Sequence, residues 1–425
     1  MVAATRMSTV TDARADVTSA LTGESWSIER FLQQIAEAPP PGRPFASESI
    51  AFCEALSRDL LDPRHAPRYP QVISLGYWLR PASVERARES FVRLQGEGTI
   101  LVPRGRVLHI TPANVDTMFA YSWILALLVG NSNIVRVTTR TTDATRRILD
   151  ATSLLLCDPA FDDLQRRNHI VFTGHDDRVS RQLSSVADVR VVWGGDATIE
   201  HFREFPLPAR GRDVTFPNRH SLAILDADAI RRADEHELGA LADHFFNDAY
   251  WFDQAACSSP RLLIWVARHA DRVEDVRLRF RDAVDSAIRR RAYEAETGVV
   301  LEKMVLGLRT AAAADGIRYV RDSNEATWVE LPDLAHYERE HCGGGLFFEF
   351  VTHDLEEDLV GFLDPADQTA ACYGVDRNLA LTLARRINGR GIDRWVRIGE
   401  ALTFGSVWDG YDLLEEFARR VLVDL

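Results

Sequence analysis

Lysine is almost missing from this 425-residue chain: Lys303 is the only one, and the other 49 basic residues are arginines dispersed along the sequence. The formal net charge is −13. Without a basic block the chain offers no dedicated nucleic-acid surface, and its densest basic run, Arg289–Arg291, reads as the solvated face of a helical segment. Cysteine is sparse as well. Cys53, Cys157, Cys257, Cys342 and Cys372 form no CxxC pair and meet no cluster of histidines, which excludes a zinc site and a disulfide framework, so no metal is expected. Cys157 follows three leucines and reads as core. The longest apolar run, Met118–Val129, is too short for a bilayer span of about 20 residues and reads as a buried helix. Residues 1–25, rich in Thr, Ala, Ser and Asp, hold neither a secretory signal nor an anchor. The expected location is therefore the cytoplasm. GxGxxG is also absent, so an ordinary dinucleotide fingerprint is ruled out.

What is present is a globular composition, 46% hydrophobic and 27% charged, long enough for two or more domains. Residues 1–25 are expected to be mobile. Pro39-Pro40-Pro41-Gly42 breaks the helical pattern of Ile28 to Ala38, so residues 1–70 read as an appended, mostly helical segment. From residue 98 the pattern changes to strands at 99–102, 106–110, 133–137, 169–172 and 189–192, alternating with helices at 115–128, 143–156 and 177–186. This is α/β chemistry with a parallel sheet covered on both faces. Ligands collect at the C-terminal ends of such strands, which here carry Thr111-Pro112-Ala113-Asn114, Thr138-Thr139, Phe172-Thr173-Gly174-His175 and Trp193-Gly194-Gly195-Asp196. A second block follows with strands at 221–225 and 262–266, helices at 235–251, 270–295 and 300–315, strands at 325–331 and 345–351, and a helix at 378–388. Residues 71–217 are thus expected to be a nucleotide-binding domain, 218–390 a catalytic domain, and 391–425 a segment returning to the core. Leu413–Leu422 is expected to be an amphipathic terminal helix.

Cys257 stands in Phe252-Asp253-Gln254-Ala255-Ala256-Cys257-Ser258-Ser259-Pro260, among small and polar residues after an apolar helical run. A lone intracellular cysteine is usually a small buried hydrophobe. A nucleophile needs help, because a free thiol has a pKa near about 8.5 and only the thiolate attacks. Small neighbours leave room for a substrate. Tyr250, Trp251, Phe252 and Trp123 are candidates to line a hydrophobic tunnel, with ordinary core packing as the alternative.

In order along residues 98–412, Pro112-Ala113-Asn114, Gly130-Asn131-Ser132-Asn133-Ile134-Val135-Arg136, Phe172-Thr173-Gly174, Gly194-Gly195 and Gln254-x-x-Cys257 resemble the aldehyde dehydrogenase superfamily. Within it they are most similar to the LuxC-type fatty acyl-CoA reductases. The resemblance implies two α/β lobes, each with a mostly parallel sheet. It implies that Cys257 is the nucleophile and that the Asn114 amide joins the Cys257 backbone N–H in an oxyanion hole, although Asn114 also reads as a helix N-cap. By the same resemblance Thr111, Pro112, Arg136, Thr138, Thr173, Gly174, Trp193, Gly194 and Gly195 contact the cofactor. Arg136 stands where the family usually has lysine, and its fork suits a phosphate, so NADPH is the expected cofactor with NADH as the alternative. Glu340, in Glu340-His341-Cys342-Gly343, corresponds to the glutamate that holds the nicotinamide ribose, or is a solvated loop carboxylate. Val192 and Trp193 stand where hydrolytic relatives place the glutamate that activates water, which leaves an acyl-cysteine without a general base for hydrolysis. Residues 199–217 read as an insertion.

These expectations amount to NAD(P)H-dependent reduction of an acyl-CoA or carrier-protein-bound acyl thioester to an aldehyde. The alternatives are an NAD-dependent aldehyde dehydrogenase and a non-catalytic nucleotide-binding relative that serves as a complex partner. The resemblance also implies a homo-oligomer and an acyl-transfer partner protein.

Overall fold

The computed structural model describes residues 15–64, 69–112, 115, 117–267, 273–321 and 323–425. These fall into two compact units: residues up to Pro217 with Phe404–Ser406 and Tyr411–Leu425, and Asn218–Thr403 with Val407–Gly410.

The first unit is built on β1 (Val17–Ser19), β2 (Ser25–Trp26), β4 (Arg106–Ile110), β5 (Ser132–Val137), β6 (Asn168–Thr173), β7 (Val189–Trp193) and β8 (Arg212–Phe216), with β3 (Thr99–Pro103) outside the main sheet. The sheet order is β2-β1-β6-β5-β4-β7-β8, and β4 to β8 run parallel. Crossover helices explain the parallel pairing. Met118–Leu128 is predominantly apolar and buried at every residue, as a helix without a polar face must be. Trp123 belongs to that core rather than to a tunnel. Gly130, just past this helix, has φ +95°, and a Cβ there would lie 2.6 Å from the Gly42 carbonyl oxygen. Gly130→Ala should therefore cost roughly 1–3 kcal/mol of stability. Urea denaturation followed by circular dichroism checks this, and an unchanged midpoint would refute it.

Asn131 of the same motif is a structural staple: its side chain accepts from the Gly105 N–H and donates to the carbonyls of Ala126 and Phe417. His109 is fully buried between Ser122 Oγ at 2.6 Å and Asn133 Oδ1 at 3.1 Å. Burial pushes its pKa down to about 4, so the ring is neutral at pH 7. Because the folded pKa lies below the unfolded value, this histidine's contribution is intact above about pH 6.5. It is lost as pH falls toward 4, at about 1.4 kcal/mol per pH unit. An NMR titration in which the His109 ring protonates near pH 6.5 would contradict this.

Three expectations are corrected here. The terminal segment is not one helix: Leu413–Glu416 is a single turn, and Ala418–Leu422 is a strand antiparallel to β3. The paired apolar and polar residues of that stretch have a helix-like spacing, and the long-range pairing with β3 overrides it. Within residues 1–25, Val17–Ser19 and the start of β2 are ordered strands at the sheet edge, while residues 1–14 lie outside the described residues. Cys157 is exposed at the C-cap of the helix Asp143–Leu156 rather than core, because its side chain falls on the solvent side of the helix end.

The second unit contains β9 (His220–Asp226), β10 (Pro260–Val266), β11 (Arg318–Arg321), β12 (Thr327–Leu331), β13 (Leu346–Thr352), β14 (Asp367–Tyr373) and β15 (Arg394–Arg397), in the order β11-β12-β13-β10-β9-β14-β15. All are parallel except β11. Helix Glu235–Tyr250 starts at a capping box of Asp234 and Glu237 and packs on the helix Val273–Arg291. Phe245, Phe280, Phe347, Trp265 and Trp328 form the core on that face, together with Tyr250. Glu349 in β13 is 1% exposed and accepts from Trp265 Nε1, Arg277 Nη2 and Arg281 Nη2, while Glu330 in β12 shares both arginines.

Candidate active site

Helix Glu235–Tyr250 ends in a turn where Asp253 and Gln254 both adopt positive φ, +50° and +60°. Two consecutive non-glycine residues in this region are costly, and they persist only where surrounding bonds fix them. Gln254 supplies those bonds. Its buried amide accepts from the Gly345 and Leu346 N–H groups at 3.1 and 3.0 Å and donates to the Pro260 and Leu346 carbonyls at 3.1 and 3.0 Å. Asp253 accepts from the Gly344 N–H at 3.1 Å and from the Tyr293 hydroxyl. Gly345, at φ +75°, leaves no room for a side chain, because a Cβ would collide with the Glu325 carbonyl and the Tyr250 hydroxyl. From the other side Lys303, 2% exposed, donates to the carbonyls of Asn324 and Gly344. Burial pushes the pKa of its amine down to about 8.

This framework places Cys257 just before β10, at the N-terminal edge of the parallel sheet. The Cys257 carbonyl accepts from Ser221 Oγ at 2.7 Å, Ser259 Oγ donates to the Asp248 carbonyl, and the backbone N–H of Arg219 points at the sulfur. Burial raises the thiol above its ordinary pKa and the Asp409 carboxylate adds to that, while Arg261 and Arg219 pull it back. The sulfur sits on a half-buried residue between charges of opposite sign.

In the first unit the strand ends bring several sequence-predicted residues together. Arg136 Nε donates to Thr173 Oγ1 at 2.7 Å and its Nη2 to the Gly174 carbonyl at 3.2 Å, and the Thr111 hydroxyl donates to the Arg136 carbonyl at 2.8 Å. Pro112 and Thr138 line a small cleft beside Thr111. Trp193 stacks face to face on Phe216 with ring centroids 3.6 Å apart. Gly194 donates to the Phe216 carbonyl, and Gly195 is the N-cap of helix Asp196–Arg203. Strand ends rich in hydroxyls, a guanidinium and a helix N-terminus suit a dinucleotide's ribose and phosphate groups without a glycine-rich fingerprint.

A family model for acyl-CoA reductase (LuxC) matches residues 98–420. The chain belongs to this family. Among curated relatives it is similar to the long-chain acyl-protein thioester reductase 2 of Photobacterium leiognathi, with 25% identity over 42% of this chain and 35% of that protein. The match thus spans about a third of the relative's own length. Solved structures establish an aldehyde dehydrogenase-like fold. Aldehyde dehydrogenase 21 from Physcomitrella patens, in complex with succinate, superposes with a TM-score of 0.66 at 12% identity, covering 96% of this chain and 94% of that one. PnpE in complex with nicotinamide adenine dinucleotide gives 0.62 at 15% identity, with 96% and 94% coverage.

For this LuxC-family chain, Asn114 lies outside the described residues. Glu340 is exposed and ion-paired with Arg309, which also binds Glu338, so a ribose there would have to displace that pair. Sequence reasoning missed Arg219, Arg261 and Asp409, which surround the Cys257 thiol. Only Arg261, four residues after Cys257, was within reach of a motif search. Among the described residues no group of three or more His, Cys, Asp or Glu side chains could hold a metal ion, and no helix is long and apolar enough to cross a membrane.

Proposed function

We propose that this protein reduces an acyl thioester, carried by CoA or by a carrier protein, to an aldehyde. The observation that carries this reading is the thiol of Cys257 on a rigid turn, combined with apolar Val192 and stacked Trp193 where a hydrolytic enzyme needs a carboxylate. Cys257 attacks the thioester carbonyl, and the bond to the donor sulfur breaks as the new C–S bond forms. Negative charge gathers on the carbonyl oxygen, where the Asn114 amide and the Cys257 backbone N–H would donate. One such donor is worth about 2.7–4 kcal/mol. The acyl-cysteine then persists, because neither Val192 nor Trp193 can take a proton from water.

A nicotinamide cofactor, NADPH by preference, fits the first unit's strand ends, held by Thr111, Pro112, Arg136, Thr138, Thr173, Gly174, Trp193, Gly194 and Gly195 with Glu340 on the ribose, and when bound it supplies the hydride. Collapse of the thiohemiacetal on Cys257 releases the aldehyde and returns the thiol. The test mixes purified protein with NADPH or NADH and acyl-CoAs of increasing chain length, following cofactor oxidation and aldehyde together. Cysteine-dependent aldehyde supports the reading. Accumulation of free acid would replace it with oxidative dehydrogenase chemistry.

A further inference from the structure

Buried polar atoms in folded proteins are almost always hydrogen-bonded, so those that are not carry information. Ser258 Oγ and the Nε and Nη1 of Arg261 are buried next to the Cys257 loop without a partner among the described residues. Arg261 is 2% exposed, and the bond its Nη2 makes is to a backbone carbonyl, that of Gln254. Among the described residues no carboxylate forms an ion pair with it. The ionisable groups around it are Cys257, Cys342 and Tyr337, with His220 and His341 stacked nearby and uncharged at neutral pH. An uncompensated buried guanidinium costs stability unless an anion meets it at some stage.

The backbone aims this group. Ser221 pairs with Pro260 on one side and Thr369 on the other, and the register slips at both places, inserting Arg261 ahead of Leu262 and Gln368 ahead of Thr369. Bulges are rare in parallel pairs, and where they occur next to active sites they re-aim side chains. Gln368 Nε2 donates to Asp409 Oδ1, and Arg219 Nε lies 3.7 Å from Asp409 Oδ2. Asp409 thus occupies a fixed position, with Arg219, Asp393 and Arg394 as its other charged neighbours. One slip thus turns the Arg261 guanidinium onto the turn that carries Cys257, and the other sets Gln368 against Asp409.

We propose that Arg261 and Asp409 are opposed positioning residues for Cys257: the guanidinium favours its thiolate, and the carboxylate, held by Gln368 and Arg219, restrains it. The thiolate is the form that attacks the donor and the form released when the aldehyde leaves, so this balance sets the fraction of protein ready to react. Asp409, pushed up to about 6 mainly by burial, is charged at pH 7 and loses its restraint as it protonates below that.

The inference rests on Cys257 being the nucleophile of the proposed reaction, but its test needs neither acyl donor nor cofactor. Iodoacetamide alkylation, read at the Cys257 peptide by mass spectrometry from about pH 5 to 10, gives the thiol's titration. A failed thioester assay and a failed titration are therefore separate results. R261Q should raise the midpoint by more than about one unit and slow alkylation at pH 7 about tenfold, R261K should restore it, and D409N should lower it. An unmoved midpoint in folded R261Q overturns the proposal. If R261Q does not fold, D409N decides: a lowered midpoint sustains the proposal, and an unmoved or raised one overturns it.

Discussion

Cys257→Ala is expected to lower aldehyde formation from acyl thioesters by about a thousandfold or more while leaving the fold unchanged. The two halves of this expectation have separate physical grounds. Activity falls because no other cysteine can substitute: Cys53, Cys342 and Cys372 are pushed up to about 12, 11 and 12 mainly by burial, and Cys157 lies far along the chain in the first unit. The fold holds because the turn is fixed by Gln254, Asp253, Ser221 and Ser259 rather than by the sulfur. Aldehyde yield, near-ultraviolet circular dichroism and the mass of the protein after incubation with acyl-CoA measure all of this in one preparation. Undiminished activity in the alanine protein would falsify the thioester reading.

Glu349→Gln should be the most damaging single change to stability, at about 3–5 kcal/mol. Glu349 is the shared acceptor of Arg277, Arg281 and the Trp265 indole, at the centre of a parallel sheet and away from water. Glutamine keeps the shape but removes the charge, so Glu330, which already pairs with the exposed Arg318 at 3.0 Å, must answer both buried guanidinium groups with help only from Glu274, 3.3 Å from Arg277. Folded proteins hold only about 5–15 kcal/mol in reserve, so the second unit should melt far below its normal midpoint. Calorimetry resolves this. A loss under about 1 kcal/mol would mean that the network is solvated and contributes little.

Much of the architecture was legible in the sequence, for identifiable reasons. β5 and β6 are short apolar runs rich in β-branched residues and bounded by polar turns, and the helices between strands keep their periodicity, so the alternation could be followed from residue 99 to 266. The polar stretch Asp367-Gln368-Thr369-Ala370-Ala371 gave no such pattern, yet β14 is buried, because the Asp367 and Gln368 side chains find Arg339 and Asp409 and the Thr369 N–H donates to Ser221 Oγ. The terminal strand was misread because pairing with β3 is a long-range event that local amphipathicity does not encode. The site divides along the same line. Cys257 and Gln254 lie in one contiguous motif, whereas Arg261 reaches the turn through a slipped register and Asp409 is held by a partner far away in the chain. C-terminal strand ends guided the cofactor expectations in the first sheet, but in the second the proposed nucleophile, Cys257, stands at the opposite edge.

The solitary lysine has a practical consequence. An amine-selective reagent finds one side chain in the whole sequence, and that side chain is enclosed behind the glycine loop that braces the Cys257 turn. Labelling at Lys303 would therefore act as a clock for transient opening of residues 343–345, a site-specific reporter that requires no engineering of the chain.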